Sequence, residues 1–272
     1  MELVESNNNN EMKISNNNNE IKISNKTSLI RNKYQLDSFQ IESFKQIDAG
    51  KNIIVSAPTG SGKTTVADYA IERAKSLNPY AKIIYTCPIK ALCNEKYRDM
   101  VLSWGSDPHN YVIGLMTGDI TINPYGDELK KDLEQNDEYL TRVETEIETE
   151  NKINFDIVQN HGEIVVMTTE VLQKLLDSND FEQIKPDVII FDEAHYIDDD
   201  DRGHVWEKCI IGGLTQTSAM LILLSATIGN IEEITEWLCT INASKEFIPI
   251  IKTERPVPLR QFLLDNTKST TL

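Results

Sequence analysis

Long apolar runs are missing from this chain: nowhere do about 18 or more hydrophobic residues follow one another, the length a membrane-spanning helix needs. The N-terminus also lacks the basic-then-apolar order of a secretory leader. Membrane insertion and export are therefore not expected, and the chain is expected to be intracellular. Cysteine is scarce. Cys87, Cys93, Cys209 and Cys239 are far apart, with no C-x-x-C and no histidine at ligand spacing. That excludes a zinc site and a disulfide framework and leaves four reduced core thiols. Basic residues are in deficit: 27 Lys and Arg face 43 Asp and Glu, a formal net charge of -16. A protein that holds nucleic acid by bulk positive charge would show the opposite balance.

What is present suffices for a globular protein, since 40% of the 272 residues are hydrophobic, enough to bury a core at this length. Residues 1–30 stand apart. They contain a near-repeat of period nine, Ser6 with four asparagines and Glu-Met-Lys-Ile, then Ser15 with four asparagines and Glu-Ile-Lys-Ile. Asparagine blocks bury too little apolar surface to offset chain entropy, so a disordered tail without assigned function is expected there.

From Tyr34 onward short β-branched runs alternate with amphipathic stretches. Strands are predicted at 52–56, 82–86, 111–116, 163–168, 187–192 and 220–225, and helices at 63–75, 89–103, 169–177, 204–211 and 230–239. Strands that are apolar on both faces and joined by helices imply an α/β fold, a mostly parallel sheet with helices on both faces. Ligands of such sheets sit at the carboxyl ends of the strands. One segment breaks the alternation: residues 125–163 hold twelve acids and four bases, a net of -8 and half the excess of the whole chain. A solvated acidic insertion is expected there, helical in part from Asp127 to about Glu150.

After the strand at 52–56 comes Ala57-Pro58-Thr59-Gly60-Ser61-Gly62-Lys63-Thr64-Thr65 and then a helix-forming run. Glycines at 60 and 62 let backbone N–H groups turn toward an anion, and the helix N-terminus adds partial positive charge. Lys63 is placed to reach the terminal phosphates of a nucleotide and the Thr64 hydroxyl to ligate Mg2+. The loop departs from the strict G-x-x-x-x-G-K-T pattern in having Ala at 57, and a structural glycine turn is the competing account. The strand at 187–192 ends in Asp192-Glu193-Ala194-His195. Asp192 is placed to hold Mg2+ and Glu193 to polarise water attacking a γ-phosphate; an acidic helix cap is the alternative. Ser225-Ala226-Thr227, Thr117-Gly118-Asp119 and Thr168-Thr169-Glu170 put hydroxyls or a turn at further strand ends, which suits phosphate or sugar contacts. Taken singly, each is also what an ordinary cap or turn looks like.

Taken together these residues resemble one family, the superfamily 2 DExH-box RNA helicases of the superkiller and exosome-cofactor type. The likeness runs from about Tyr34 to Leu264. It is carried by Leu36-Asp37-Ser38-Phe39-Gln40, the loop at 55–64, Pro88-Ile89-Lys90-Ala91-Leu92, Gly114-Leu115-Met116-Thr117-Gly118-Asp119 and Met167-Thr168-Thr169-Glu170-Val171-Leu172. Asp192-Glu193-Ala194-His195-Tyr196, Arg202-Gly203-His204-Val205-Trp206-Glu207, Leu224-Ser225-Ala226-Thr227 and Arg255-Pro256-Val257-Pro258-Leu259 complete it. The resemblance implies a RecA-like P-loop NTPase domain over 31–264, with the insertion at 125–163 and a short polar tail at 265–272. It implies that ATP is held at Tyr34, Gln40 and 57–65, with Tyr34 stacking on the base and Gln40 on the adenine edge. Thr64 and Asp192 would hold Mg2+, and Lys63, Asp192, Glu193, His195, Ser225 and Thr227 would carry hydrolysis and its link to movement. Pro88, Lys90, Thr117, Gly118, Asp119, Thr168, Thr169 and Glu170 would grip one RNA strand by its backbone. DNA stays open as a substrate, because such a grip is blind to sequence and these motifs do not separate the two polymers.

Helicases of this type work with two RecA-like lobes, the second delivering arginines worth about 10³- to 10⁵-fold in rate. The motifs here account for the first lobe alone, so a second lobe on another chain is an expected partner. The chain is otherwise a truncated helicase or a non-catalytic ATP-binding subunit, and a DNA translocase is a further alternative. By itself the chain is expected to hydrolyse ATP slowly and to bind RNA weakly.

Overall fold

A computed structural model describes residues 35–105, 109, 111–118, 121–122, 163–178, 181, 184–226, 228–255, 257–258, 262–264 and 269–271. The asparagine-rich tail and the acidic segment, apart from Glu163, lie outside the described residues. So do Tyr34, Asp119 and Thr227.

The β-branched runs build the sheet. Strands β1 (Asn52–Ser56), β2 (Ile83–Cys87), β3 (Ile113–Met116), β5 (Ile164–Thr168), β6 (Val188–Asp192), β7 (Met220–Ser225) and β8 (Phe247–Ile251) run parallel. The two-residue β4 (Thr121–Ile122) pairs antiparallel with β3 at one edge. The spatial order is β4-β3-β5-β2-β6-β7-β1-β8. Side chains alternate between the faces, so Ile53 and Val55 enter one core layer and Ile54 the other. Helices α1 (Ser38–Asp48), α2 (Lys63–Leu77) and α3 (Lys90–Trp104) cover the first face, where Phe44 stacks on Tyr69 with ring centroids 3.9 Å apart. Helices α4 (Thr169–Leu176), α5 (Gly203–Gln216) and α6 (Ile231–Ile241) cover the second, around the fully buried Trp206 and Phe191. Each such side chain contributes about 1.5–3 kcal/mol of transfer free energy, so both layers hold the helices against the sheet.

The six predicted strands are present with ends shifted by two residues at most, and the expected mostly parallel α/β sheet is the fold. Besides the two-residue β4 and a short 3₁₀ turn after β6, a first helix, an eighth strand and a terminal ribbon were not anticipated. α1 has its N-cap in Asp37, whose carboxylate accepts from the Phe39 amide, while Gln40 Oε1 accepts from the Asp37 amide at 2.8 Å. β8 lies outside β1 and ends beside the phosphate loop, where the Lys252 amide donates to Ser56 O. Phe262–Leu264 and Ser269–Thr271 pair as an antiparallel two-stranded ribbon (β9, β10), in part of the span expected to be only a polar tail. No helix among the described residues is long and apolar enough to cross a membrane.

Candidate nucleotide and nucleic-acid sites

The loop after β1 is shaped by two glycines in the left-handed region, Gly60 at φ 79° and Gly62 at φ 90°. Gly62 is also the N-cap of α2. A Cβ there would sit 2.7 Å from Gln40 Nε2, which would have to shift, but it is the positive φ that favours glycine at this position. Ala57, where the strict pattern has glycine, is fully buried and outside the left-handed region, so its methyl costs the loop nothing. Its amide donates to Ser225 O at 3.1 Å and ties the loop to the end of β7.

Lys63 is 8% exposed, and its ammonium donates to Ala57 O at 2.9 Å and Pro58 O at 3.4 Å. Burial lowers its pKa below the ordinary lysine value, opposed by the negative charges of Glu193 and Asp192. The order β6-β7-β1 brings the Lys63 loop and the Asp192–Glu193 turn to the same end of the sheet, one strand apart. The cradle fits a polyphosphate: it offers helix N-terminal amides, a cation held only by loop carbonyls, and the buried Ser61 hydroxyl, which has no hydrogen-bond partner. Thr64 is exposed at the mouth and lines a cavity of about 210 Å³ between α2 and α3, with Asp68, Lys96 and Trp104 among its walls.

Asp192 ends β6 half-buried. Its Oδ2 accepts from Tyr85 O–H at 2.6 Å and its Oδ1 from the Glu193 amide at 3.1 Å. Tyr85 is fully buried in β2, three residues before Pro88. Burial, and then the Asp192 charge, holds its phenol well above the ordinary tyrosine pKa, so it stays a donor. Glu193 takes the left-handed conformation at φ 58°, which costs a non-glycine residue about 1 kcal/mol and turns the chain off the strand. A short 3₁₀ helix, Ala194–Asp198, follows, and His195 Nδ1 lies 3.3 Å from Glu193 Oε2. The Ser225 hydroxyl is buried without a hydrogen-bond partner. Gln40 donates from Nε2 to Gly62 O at 3.0 Å and so braces the phosphate loop.

The second group of expected residues follows β2, β3 and β5, which adjoin one another and lie on the other side of β6. Lys90 and Gly118 are exposed, and Lys90 Cε would lie 3.9 Å from a Cβ at Gly118. Pro88, Thr117 and Thr168 are buried or nearly so. Thr169 is fully buried and donates from Oγ1 to Cys87 O at 3.4 Å, which ties the start of α4 to the end of β2. Glu170 pairs with Arg202. The nucleotide group (β1, β7, β6) and the grip group (β2, β5, β3) thus occupy adjacent halves of one sheet edge.

Sequence reasoning gave no role to Tyr85, Arg202 or Lys252. No local signal marks the first two, because their partners lie 107 and 32 residues away. Lys252 pairs with Asp37 and lies 5.4 Å from the Phe39 ring centroid, so β8 steadies the cap that presents Gln40.

A family model described as DEAD/DEAH box helicase matches residues 37–234. Among curated proteins, the ATP-dependent RNA helicase mtr4 of Schizosaccharomyces pombe is 35% identical over 231 residues, covering 85% of this chain and 16% of that protein. The exosome RNA helicase MTR4 of Homo sapiens is 35% identical over 229 residues, 84% of this chain and 17% of that one. The antiviral helicase SKI2 of Saccharomyces cerevisiae is 35% identical over 226 residues, 83% and 14%. The chain thus spans less than a fifth of the length of these relatives. Among solved structures, the DUF1998 helicase MrfA bound to DNA superposes with a TM-score of 0.56 at 18% identity, over 82% of this chain and 28% of that one. The Mycobacterium smegmatis helicase Lhr bound to ssDNA and AMP-PNP does so with a TM-score of 0.53 at 22% identity, over 79% and 25%. At those identities the two structures speak to the fold alone.

Proposed function

Because the chain belongs to the DEAD/DEAH box helicase family, we propose that it is the ATP-binding lobe of an ATP-dependent RNA helicase, coupling ATP hydrolysis to movement along RNA. The observation that carries this reading is the meeting of the glycine-hinged loop and the Asp192–Glu193 pair at one sheet edge, with the grip loops beside them.

ATP enters with its phosphates against the Walker A loop at 57–65. Lys63 exchanges the Ala57 and Pro58 carbonyls for phosphate oxygens. Thr64 and the Asp192 carboxylate, in the Asp-Glu-Ala-His tetrad of a DEAH box, would hold Mg2+, which when bound neutralises charge on the phosphates. Glu193 accepts the proton of the attacking water as its oxygen bonds to the γ-phosphorus and the bond to the bridging oxygen breaks, giving ADP and phosphate. His195 lies beside the Glu193 carboxylate, with Nδ1 3.3 Å from Oε2 and no hydrogen bond between them. Tyr34 and Gln40 would frame the base, and His195, Ser225 and Thr227 are the proposed relay between hydrolysis and movement. Pro88, Lys90, Thr117, Gly118, Asp119, Thr168, Thr169 and Glu170 form the RNA side, to which DNA remains an alternative. A second RecA-like lobe is the proposed partner that supplies charge to the transferring phosphate.

The test is ATP turnover with and without single-stranded RNA, for the wild-type chain and for Glu193→Gln. The wild type is expected to turn over slowly. Glu193→Gln is expected to keep ATP bound while turnover falls by about 10²- to 10⁴-fold. Unchanged turnover in the variant would refute the assignment.

A further inference from the structure

Glu170 poses an electrostatic problem on the RNA side. A carboxylate beside a phosphodiester track repels it unless a cation neutralises it, and carboxylates accept but do not donate hydrogen bonds. That cation is Arg202. Its Nε donates to Glu170 Oε1 at 3.0 Å, and its Nη2 donates both to the same carboxylate oxygen and to the Pro88 carbonyl. One guanidinium thereby joins two loops expected to grip RNA, the one after β2 and the one after β5. A lysine ammonium could reach one or both partners but lacks the second, Nε donor that fixes the guanidinium on Glu170.

The local structure is built to put Arg202 there. The Asp199 carboxylate accepts from the Asp201 amide at 3.1 Å and the Arg202 amide at 2.9 Å, and Asp199 O accepts from the Gly203 amide at 2.8 Å. Gly203 lets α5 press on the preceding 3₁₀ turn: a Cβ there would lie 2.4 Å from Ile197 O. The guanidinium also rests 5.8 Å from the centroid of Tyr196. Both sides of the ion pair reach solvent, with Arg202 at 29% and Glu170 at 41% side-chain exposure, so it faces the surface where RNA is proposed to lie.

Resting on the RNA-binding reading above, we infer that Arg202 is a positioning residue of the RNA track: it neutralises Glu170 and locks the Pro88 and Glu170 loops in register, and neither member of the pair is itself a phosphate contact. The prediction has a sign that an ordinary RNA-contacting arginine would not give. In Arg202→Gln the Glu170 charge is released onto the track, and removing that charge as well, in the Arg202→Gln/Glu170→Gln double variant, recovers affinity.

The experiment measures single-stranded RNA affinity by fluorescence anisotropy at low salt for the wild type, Arg202→Gln, the double variant and Arg202→Lys. Binding of a fluorescent ATP analogue and thermal midpoint serve as fold controls. Arg202→Gln is expected to lose about tenfold in RNA affinity with ATP-analogue affinity within about twofold, and the double variant to regain a large part of the loss. Arg202→Lys keeps the charge without the fork and is expected to fall between wild type and Arg202→Gln, which gives a readout if the glutamine variant does not fold. Equal weakening in Arg202→Gln and the double variant, or no weakening in either substitution of Arg202, overturns the inference while the helicase reading stands. A wild-type chain that binds no RNA removes the RNA-track assignment and this inference together, and is recognised before any variant is made.

Discussion

Tyr85 shows how much of the nucleotide site is set by a residue that never meets solvent. Its hydroxyl occupies one oxygen of Asp192 and leaves the other to the Glu193 amide and the site mouth. Partners behind a metal-holding carboxylate fix its direction, and their loss commonly costs about 10- to 100-fold in metal affinity. Tyr85→Phe deletes the hydroxyl without changing ring packing. It is therefore expected to raise the Mg2+ concentration that half-saturates nucleotide binding by about tenfold, with the thermal midpoint nearly unchanged. A magnesium titration followed by a fluorescent ATP analogue measures both, and an unaltered Mg2+ requirement would show that Asp192 needs no brace.

At the scale of elements, the turn between the 3₁₀ helix and α5 leaves the least room for a side chain among the described glycines. Gly203→Ala would force a methyl against the Ile197 carbonyl, a backbone atom that cannot swing away. A destabilisation of about 1–3 kcal/mol is expected, the range for overpacking, visible as a lowered urea midpoint. The elements legible in the sequence were those whose signal is local. Runs such as Val188-Ile189-Ile190-Phe191 announce a buried strand by themselves, and the loop at 57–65 and the pair at 192–193 are legible because their chemistry requires fixed spacing. β8 was not, since Phe247-Ile248-Pro249-Ile250-Ile251 carries a proline, tolerated here at an exposed edge beside β1. α1 was missed although Asp37 and Gln40, three residues apart, are a capping-box signature. The Arg202–Glu170 brace could not be found that way, because it exists only once β2 and β5 are paired.

Over the whole molecule, the sheet edge divides the work between two neighbouring strand groups, and the charge distribution constrains how the second group can act. With a net charge of -16, half of it in residues 125–163, the chain cannot hold RNA by bulk attraction. On the proposed RNA reading, hydroxyls, loop amides and Lys90 would do so, which is why an unneutralised Glu170 would matter. One acid of that segment is accounted for: Glu163 binds the buried Lys75 ammonium at 2.8 Å and anchors the entry to β5. The central claim is narrower than RNA binding. It is that Lys63 and Asp192, 129 positions apart in the chain, act on one magnesium-bound triphosphate. Equilibrium binding of an ATP analogue with Mg2+ to Lys63→Ala, Asp192→Asn and the double variant tests this directly. Residues serving one ligand are non-additive, so each single variant is expected to lose about tenfold or more and the double variant little beyond the worse of the two. Losses that simply add, or an Asp192→Asn protein that binds as tightly as wild type, would contradict the account.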